Sequence, residues 1–234
     1  MTCCLNENHS GQELKDEQGR VFHAKDNFDI DSLWNSPSMK KMRREMMEGK
    51  WPQACSDCEV QEKAGIQSFR QGLNAEWKPE TQRLLKKTKN DGALNTGIEK
   101  FDIKPGNNCN LSCNMCSPAF SKKVAGDYLK VYPHLRSQDL KKFIDQRWYE
   151  DESFWNKIYS GSDNLKSLHF AGWEPFLSKK LFEYLEKVIE LGVSENITLS
   201  FNTNLTVLPE KIFEIFPKFK SVSLYVSIDG TEHV

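Results

Sequence analysis

Three cysteines crowd into one stretch of ten residues, "NNCNLSCNMC" at 107–116, with the spacing C-x3-C-x2-C. Their thiolates are soft ligands that suit zinc or an iron–sulfur cluster. Structural zinc almost always takes four protein ligands, and the sequence places no fourth cysteine or histidine near Cys109, Cys113 and Cys116. A [4Fe–4S] cluster takes one thiolate per iron, so the trio would hold three irons and leave the fourth free for a small molecule. The other four cysteines fall into two close pairs, Cys3 with Cys4 and Cys55 with Cys58. Seven clustered cysteines in a chain whose start, "MTCCLNENHSGQELKDEQ", has neither a basic nor an apolar leader segment favour metal or redox chemistry over a disulfide framework. The five histidines, at 9, 23, 134, 169 and 233, show no ligand spacing and read as ordinary surface or core residues.

The elements that must position the loop are legible from residue 99 onward, where strand-like and helix-like segments alternate. "IEKFDIKPG", "SLHFAGWEP", "ITLSFNTNL" and "SVSLYVSIDG" each read as a strand ending in a turn. Between the second and third, Ser178 caps a helix whose apolar stripe is Leu181, Phe182, Leu185, Val188 and Ile189, with Gly192 as its stop. "LPEKIFEIF" supplies another helix, opened by Pro209. Residues 117–160 have room for two or more helices, with Trp148, Phe154, Trp155 and Ile158 as core candidates. Strands joined by crossover helices form a parallel sheet, and in such sheets sites gather at the carboxyl ends of the strands. The cysteine loop, "GWEP", "NTN" and "SIDG" are thereby expected on one rim.

The chain changes character near residue 98. Before it come a short extended stretch at 20–24 and then a helix, with Ser36 as cap, Pro37 at its first position and Gly49 at its end. Met39, Met42 and Met46 lie along one side of that helix and are expected to face a core. The pair Cys55 and Cys58 then enters a polar helical stretch, and residues 78–97 read as a charged helix followed by a linker. This divides the chain into a module at 1–77, a helix and linker at 78–98 and a catalytic part at 99–234.

Composition excludes several classes of function. With 38% hydrophobic, 11% aromatic and 28% charged residues the chain is a soluble globular protein, and no run approaches the roughly 18 apolar residues of a membrane span. Net charge is −1, with the basic residues scattered among acids, so no field of one sign draws nucleic acid. No membrane association is expected, and the expected location is cytoplasmic.

C-x3-C-x2-C after a first strand, followed by Gly172, Trp173, Glu174 and Pro175 after a second, resembles the radical S-adenosylmethionine enzymes. The resemblance implies a partial (β/α) barrel of parallel strands and a [4Fe–4S] cluster on Cys109, Cys113 and Cys116. S-adenosylmethionine would chelate the free iron, and its reductive cleavage would give a 5′-deoxyadenosyl radical for hydrogen abstraction from a substrate. It further implies that "GWEP" binds the methionine amino group and that Asn202 and Asn204 are polar contacts to cofactor or substrate. Ser227 and Asp229 would reach the ribose or carboxylate, and Met115 would stand against the adenine. Trp173 occupies the place of a usual second glycine, so its side chain has to turn away from the ligand.

The first part of the chain resembles the auxiliary-cluster module called SPASM, or its shorter relative the twitch domain. That resemblance implies a small α+β module in which Cys4, or else Cys3, joins Cys55 and Cys58 around a second [4Fe–4S] cluster whose fourth ligand is absent or supplied by substrate, with zinc on the same residues as the competitor and structural thiols without metal as the third reading. An electron donor such as flavodoxin or ferredoxin is implied, and by analogy with auxiliary-cluster relatives the substrate would be a peptide or protein. The family's barrel has six βα units, of which residues 99–234 would cover about four. A truncated gene or a second chain completing the barrel is expected, and with it an aggregation-prone protein. The alternatives are a zinc-stabilised binding scaffold and an inactive relic that binds a cluster without turnover.

Overall fold

The computed structural model describes residues 13–23, 26, 28–134, 141, 144 and 147–228. The chain divides into two compact units, Met1–Thr96 and Gly97–Val234.

In the first unit short helices follow one another, and three of the five among the described residues begin at a residue whose side chain accepts a hydrogen bond from a free N–H of the first turn. Asp29 caps Ile30–Trp34, and Ser36 caps Pro37–Met47 by accepting from the Met39 N–H at 3.4 Å. Helices Ser56–Lys63, Phe69–Glu76 and Lys78–Lys87 complete the series, with a reciprocal capping box between Ser68 and Gln71 opening the second of these. Of the methionine stripe only Met39 is buried, while Met46 is 40% exposed. The extended stretch expected near 20–24 is reduced, among the described residues, to an antiparallel bridge between Lys15 and Val21.

This unit is tied by polar side chains as well as by its core. Asn35 exchanges two hydrogen bonds with the Leu94 backbone, at 2.9 and 3.2 Å, and the Trp34 indole donates to the Thr96 carbonyl at 3.0 Å. Arg43 lies over the Trp34 ring and donates to the Trp34 carbonyl at 2.6 Å and the Gly92 carbonyl at 3.2 Å. A Cβ on Gly92 would lie 2.1 Å from the Lys40 carbonyl oxygen, so only glycine permits this approach.

The second unit is built on one four-stranded parallel sheet in the order β1 (Lys100–Ile103), β2 (Ser167–Phe170), β3 (Thr198–Thr203), β4 (Ser221–Val226). The helices Lys122–Val131 and Glu152–Ser160 fall between β1 and β2, Lys179–Glu190 between β2 and β3, and Ile212–Ile215 between β3 and β4. The sheet is an open one of α/β type. Alternation along the strands separates its faces. Ile103, Leu168, Phe170, Leu199 and Phe201 are buried on one side. There Phe170 stacks on Phe201 at 5.5 Å, Phe201 stacks on Phe216 at 5.5 Å, and Tyr184 of the long helix meets Phe170 at 6.4 Å. That helix buries Leu181, Phe182, Tyr184, Leu185 and Val188, which is the expected stripe with Tyr184 added and Ile189 only half-buried. The other face is polar, with Asp102, His169, Ser200 and Tyr225 standing on successive strands.

Candidate functional site

The cysteine loop leaves the carboxyl end of β1 through Pro105, Gly106 and Asn107, all buried. A Cβ on Gly106 would fall 2.3 Å from the Tyr149 ring, so the loop can pass under that ring only as glycine. The loop is then pinned to the start of the next helix. The Lys122 N–H donates to the Asn107 carbonyl at 2.9 Å, and the Lys123 ammonium donates to the Asn110 carbonyl at 2.9 Å. Ser121 caps that helix through the Val124 N–H and donates its own proton to the Leu111 carbonyl at 3.1 Å. Inside the loop a tight turn joins the Cys116 N–H to the Cys113 carbonyl at 2.9 Å.

All three thiols are half-buried and none is in a disulfide. Burial pushes the Cys116 thiol above its ordinary pKa, and the neighbouring charges of Cys109 and Cys113 push in the same direction. The Cys109 sulfur accepts from the Leu111 N–H at 3.5 Å and from the Asn204 amide at 3.6 Å. Such N–H donors stabilise a thiolate that has given up its proton to a metal.

Asn204 also ties the loop to the end of β3. Its amide donates to the Asn110 side-chain oxygen at 2.9 Å, while its own oxygen accepts from the Thr206 N–H and hydroxyl at 3.0 and 2.7 Å. Its backbone N–H reaches Glu174 at 2.8 Å. Glu174 is 1% exposed, and its other oxygen accepts from the Thr203 hydroxyl at 2.7 Å and the Phe176 N–H at 3.3 Å. The Glu174 N–H in turn donates to the Asn108 carbonyl at 3.0 Å. Glu174 thus locks three segments together: its buried carboxylate joins the turn after β2 to the end of β3, and its backbone N–H holds the cysteine loop. Thr203, the middle residue of "NTN", is the member of this lock that the sequence did not single out. Leu205, just beyond it, adopts φ +51°, and its N–H is satisfied by the Thr203 hydroxyl at 2.9 Å.

Gly172 has φ +79°, and a Cβ there would press on the Lys104 side chain at 3.3 Å. The turn after β2 needs glycine at this position for both reasons. Trp173, where a second glycine was the expectation, is 7% exposed and meets Tyr149 edge to face at 5.9 Å. Its ring is accommodated in the aromatic layer with Tyr149. Pro175 opens a single turn that buries Phe176 against Phe201 at 5.4 Å.

The remaining candidates are spread more widely. Asn202 is exposed on the polar face, paired in register with Tyr225, and stands outside the Glu174 lock. Met115 is 84% exposed. Ser227 is exposed and its N–H donates to the Thr203 carbonyl at 2.9 Å, which carries the lock on to the end of β4. Asp229, Cys3 and Cys4 lie outside the described residues. In the first unit Cys55 and Cys58 are buried, at 7% and 3% exposed, on either side of the start of helix Ser56–Lys63. Burial raises the Cys55 pKa, Cys58 adds to the rise and Arg70 opposes it. Arg70 lies over the Trp51 ring and is ion-paired with Glu62.

The Radical SAM superfamily model matches residues 103–233, from the last residue of β1 across all four strands. The chain belongs to the Radical SAM superfamily. Among curated proteins and among solved structures nothing matches the chain. The family implies a [4Fe–4S] cluster and S-adenosylmethionine. No three His, Cys, Asp or Glu side chains form a metal-holding group among the described residues. The donor set nevertheless fits an iron–sulfur cluster in kind: three thiols in one anchored loop, charge-coupled to one another, with two N–H groups directed at the Cys109 sulfur. No helix among the described residues is long and apolar enough to cross a membrane.

Proposed function

We propose that the chain is a cytoplasmic radical S-adenosylmethionine enzyme whose cluster is held by Cys109, Cys113 and Cys116, with S-adenosylmethionine on the free iron. When bound, the cluster supplies the electron that splits the sulfonium and yields a hydrogen-abstracting 5′-deoxyadenosyl radical. Around it this chain's own residues have positional tasks. Gly172 and Trp173 present backbone where the cofactor's amino group would approach, Asn204 and the Leu111 N–H hold the Cys109 sulfur, and Glu174 fixes the three strand ends against each other. Met115, Asn202, Ser227 and Asp229 are the further cofactor or substrate contacts in this proposal. The observation that carries it is the Glu174 lock, which joins three of the four strand-end segments expected to form one site.

The finer parts of the proposal concern what the enzyme works with. Cys55 and Cys58, with Cys4 or Cys3, hold a second [4Fe–4S] cluster in a SPASM- or twitch-like module. Electrons come from a flavodoxin or ferredoxin, and the substrate is a peptide or protein. The burial of both Cys55 and Cys58, with no disulfide between them, supports the metal role. Anaerobic reconstitution with iron and sulfide tests the whole. The expected result is a brown protein that forms 5′-deoxyadenosine from S-adenosylmethionine with dithionite, loses that activity as Cys113→Ala, and keeps its first cluster as Cys55→Ala. Stoichiometric zinc in a colourless protein would overturn it.

A further inference from the structure

The polar face of the sheet carries a titratable row to which the strand-end site gives no role. Asp102 on β1, His169 on β2, Ser200 on β3 and Ser223 on β4 are partners in the strand register and therefore lie side by side across the sheet. The His169 Nδ1 is 2.9 Å from the Ser200 Oγ. The Ser200 hydroxyl also reaches the Leu168 carbonyl at 3.4 Å. These two contacts fit the tautomer in which Ser200 gives its one proton to that carbonyl and accepts from Nδ1–H, with Nε2 unprotonated. Tyr225 of β4 braces the ring edge to face at 6.2 Å.

The environment keeps this ring neutral. Burial lowers the His169 pKa below the ordinary histidine value; Asp102 raises it, and Lys100 and Lys104 lower it. Those β1 charges and the Tyr225 phenol are the titratable groups facing the ring among the described residues, since β3 contributes the neutral Ser200.

We propose that His169 is a base presented on the polar face of the sheet, accepting at Nε2 a proton from an O–H or N–H group of the substrate. The substrate clause rests on the enzymatic function proposed above. In this step the donor atom keeps the electron pair of the broken bond, Nε2 takes the proton, and Asp102 compensates the imidazolium that forms. The polar face, with the Asp102 carboxylate on one side of His169 and the Ser200 hydroxyl on the other, matches a polar hydrogen-bonding substrate.

Nitrogen-15 NMR of the histidine side chains of the full chain, followed from about pH 5 to about pH 8, tests the assignment. The wild type is expected to show His169 protonated at Nδ1, with a titration midpoint below about 6.5. Ser200→Ala shifts the proton to Nε2, and Asp102→Asn lowers the midpoint further. Diethyl pyrocarbonate, which acylates only an unprotonated and reachable imidazole nitrogen, labels His169 in the wild type. A wild-type ring protonated at Nε2, a midpoint at or above the ordinary value, or a His169 that escapes labelling would overturn the proposal. None of these readouts needs a cluster, so a wild type that fails to cleave S-adenosylmethionine would defeat the proposed function and leave this result standing.

Discussion

Glu174 offers two acceptor oxygens to three donors: the Thr203 hydroxyl, the Asn204 N–H and the Phe176 N–H. A glutamine at this place would turn an NH2 group toward at least one donor, leaving a buried polar group unpaired. Glu174→Gln is therefore expected to cost about 1–3 kcal/mol in chemical denaturation. Combined with Thr203→Val the losses should fall short of the sum, because both changes break one shared network. His169 gives a second prediction. Its folded pKa lies below its unfolded one, so the unfolded chain binds the extra proton and stability is lost as pH falls below about 6.5. His169→Gln should remove that slope between about pH 7 and about pH 5 in pH-dependent urea melts. Equal slopes in variant and wild type would show that the ring is unshifted. Neither Thr203 nor His169 was distinguishable in the sequence. A threonine between two asparagines has no spacing signature, and a lone histidine acquires meaning only when the register sets Asp102 and Ser200 beside it.

At the scale of elements, the caps were the most legible feature, because a Ser or Asp ahead of an apolar stripe acts through bonds only two or three residues long. Ser178, itself 8% exposed, accepts from the Leu181 N–H at 3.2 Å and opens the helix that buries most against the sheet. Ser178→Ala should lower stability by about 1 kcal/mol, with Ser178→Asp restoring most of it in thermal melts. The methionine stripe shows the opposite situation. Periodicity says which residues share a side of a helix, but whether that side is covered depends on neighbours far off in sequence, and only Met39 found cover. The clasp of Arg43 onto Trp34, Asn35 and Gly92 was equally hidden, since Gly92 lies 49 positions from it. Burial pulls the Arg43 pKa down to about 10, which leaves it a cation at neutral pH. Lysine cannot supply the fork that reaches several acceptors at once, so Arg43→Lys is expected to cost about 1–3 kcal/mol in the same melts.

For the whole second unit, strand–helix alternation led to a parallel sheet with the cysteine loop at a strand end, and the four parallel strands have that form. Local pattern could not say how each strand's two faces divide. β4 has the same alternation as β3 but far less burial: Leu224 is 37% exposed, Val226 39% and Ile228, just past it, 67%. Phe213, in the short helix that precedes it, is 67% exposed as well. β4 is the outermost strand beside β3, so one row of its backbone N–H and C=O groups has no strand partner among the described residues. An exposed strand edge flanked by apolar side chains pairs readily with another copy of itself, and a lysine there opposes pairing by charge and by desolvation cost. Val226→Lys should therefore reduce concentration-dependent light scattering of the purified chain without lowering its melting temperature, because Val226 contributes little buried surface. Should scattering persist unchanged while the melt is also unchanged, association would have to run through the apolar residues around Phe213, and Phe213→Lys would be the variant that suppresses it.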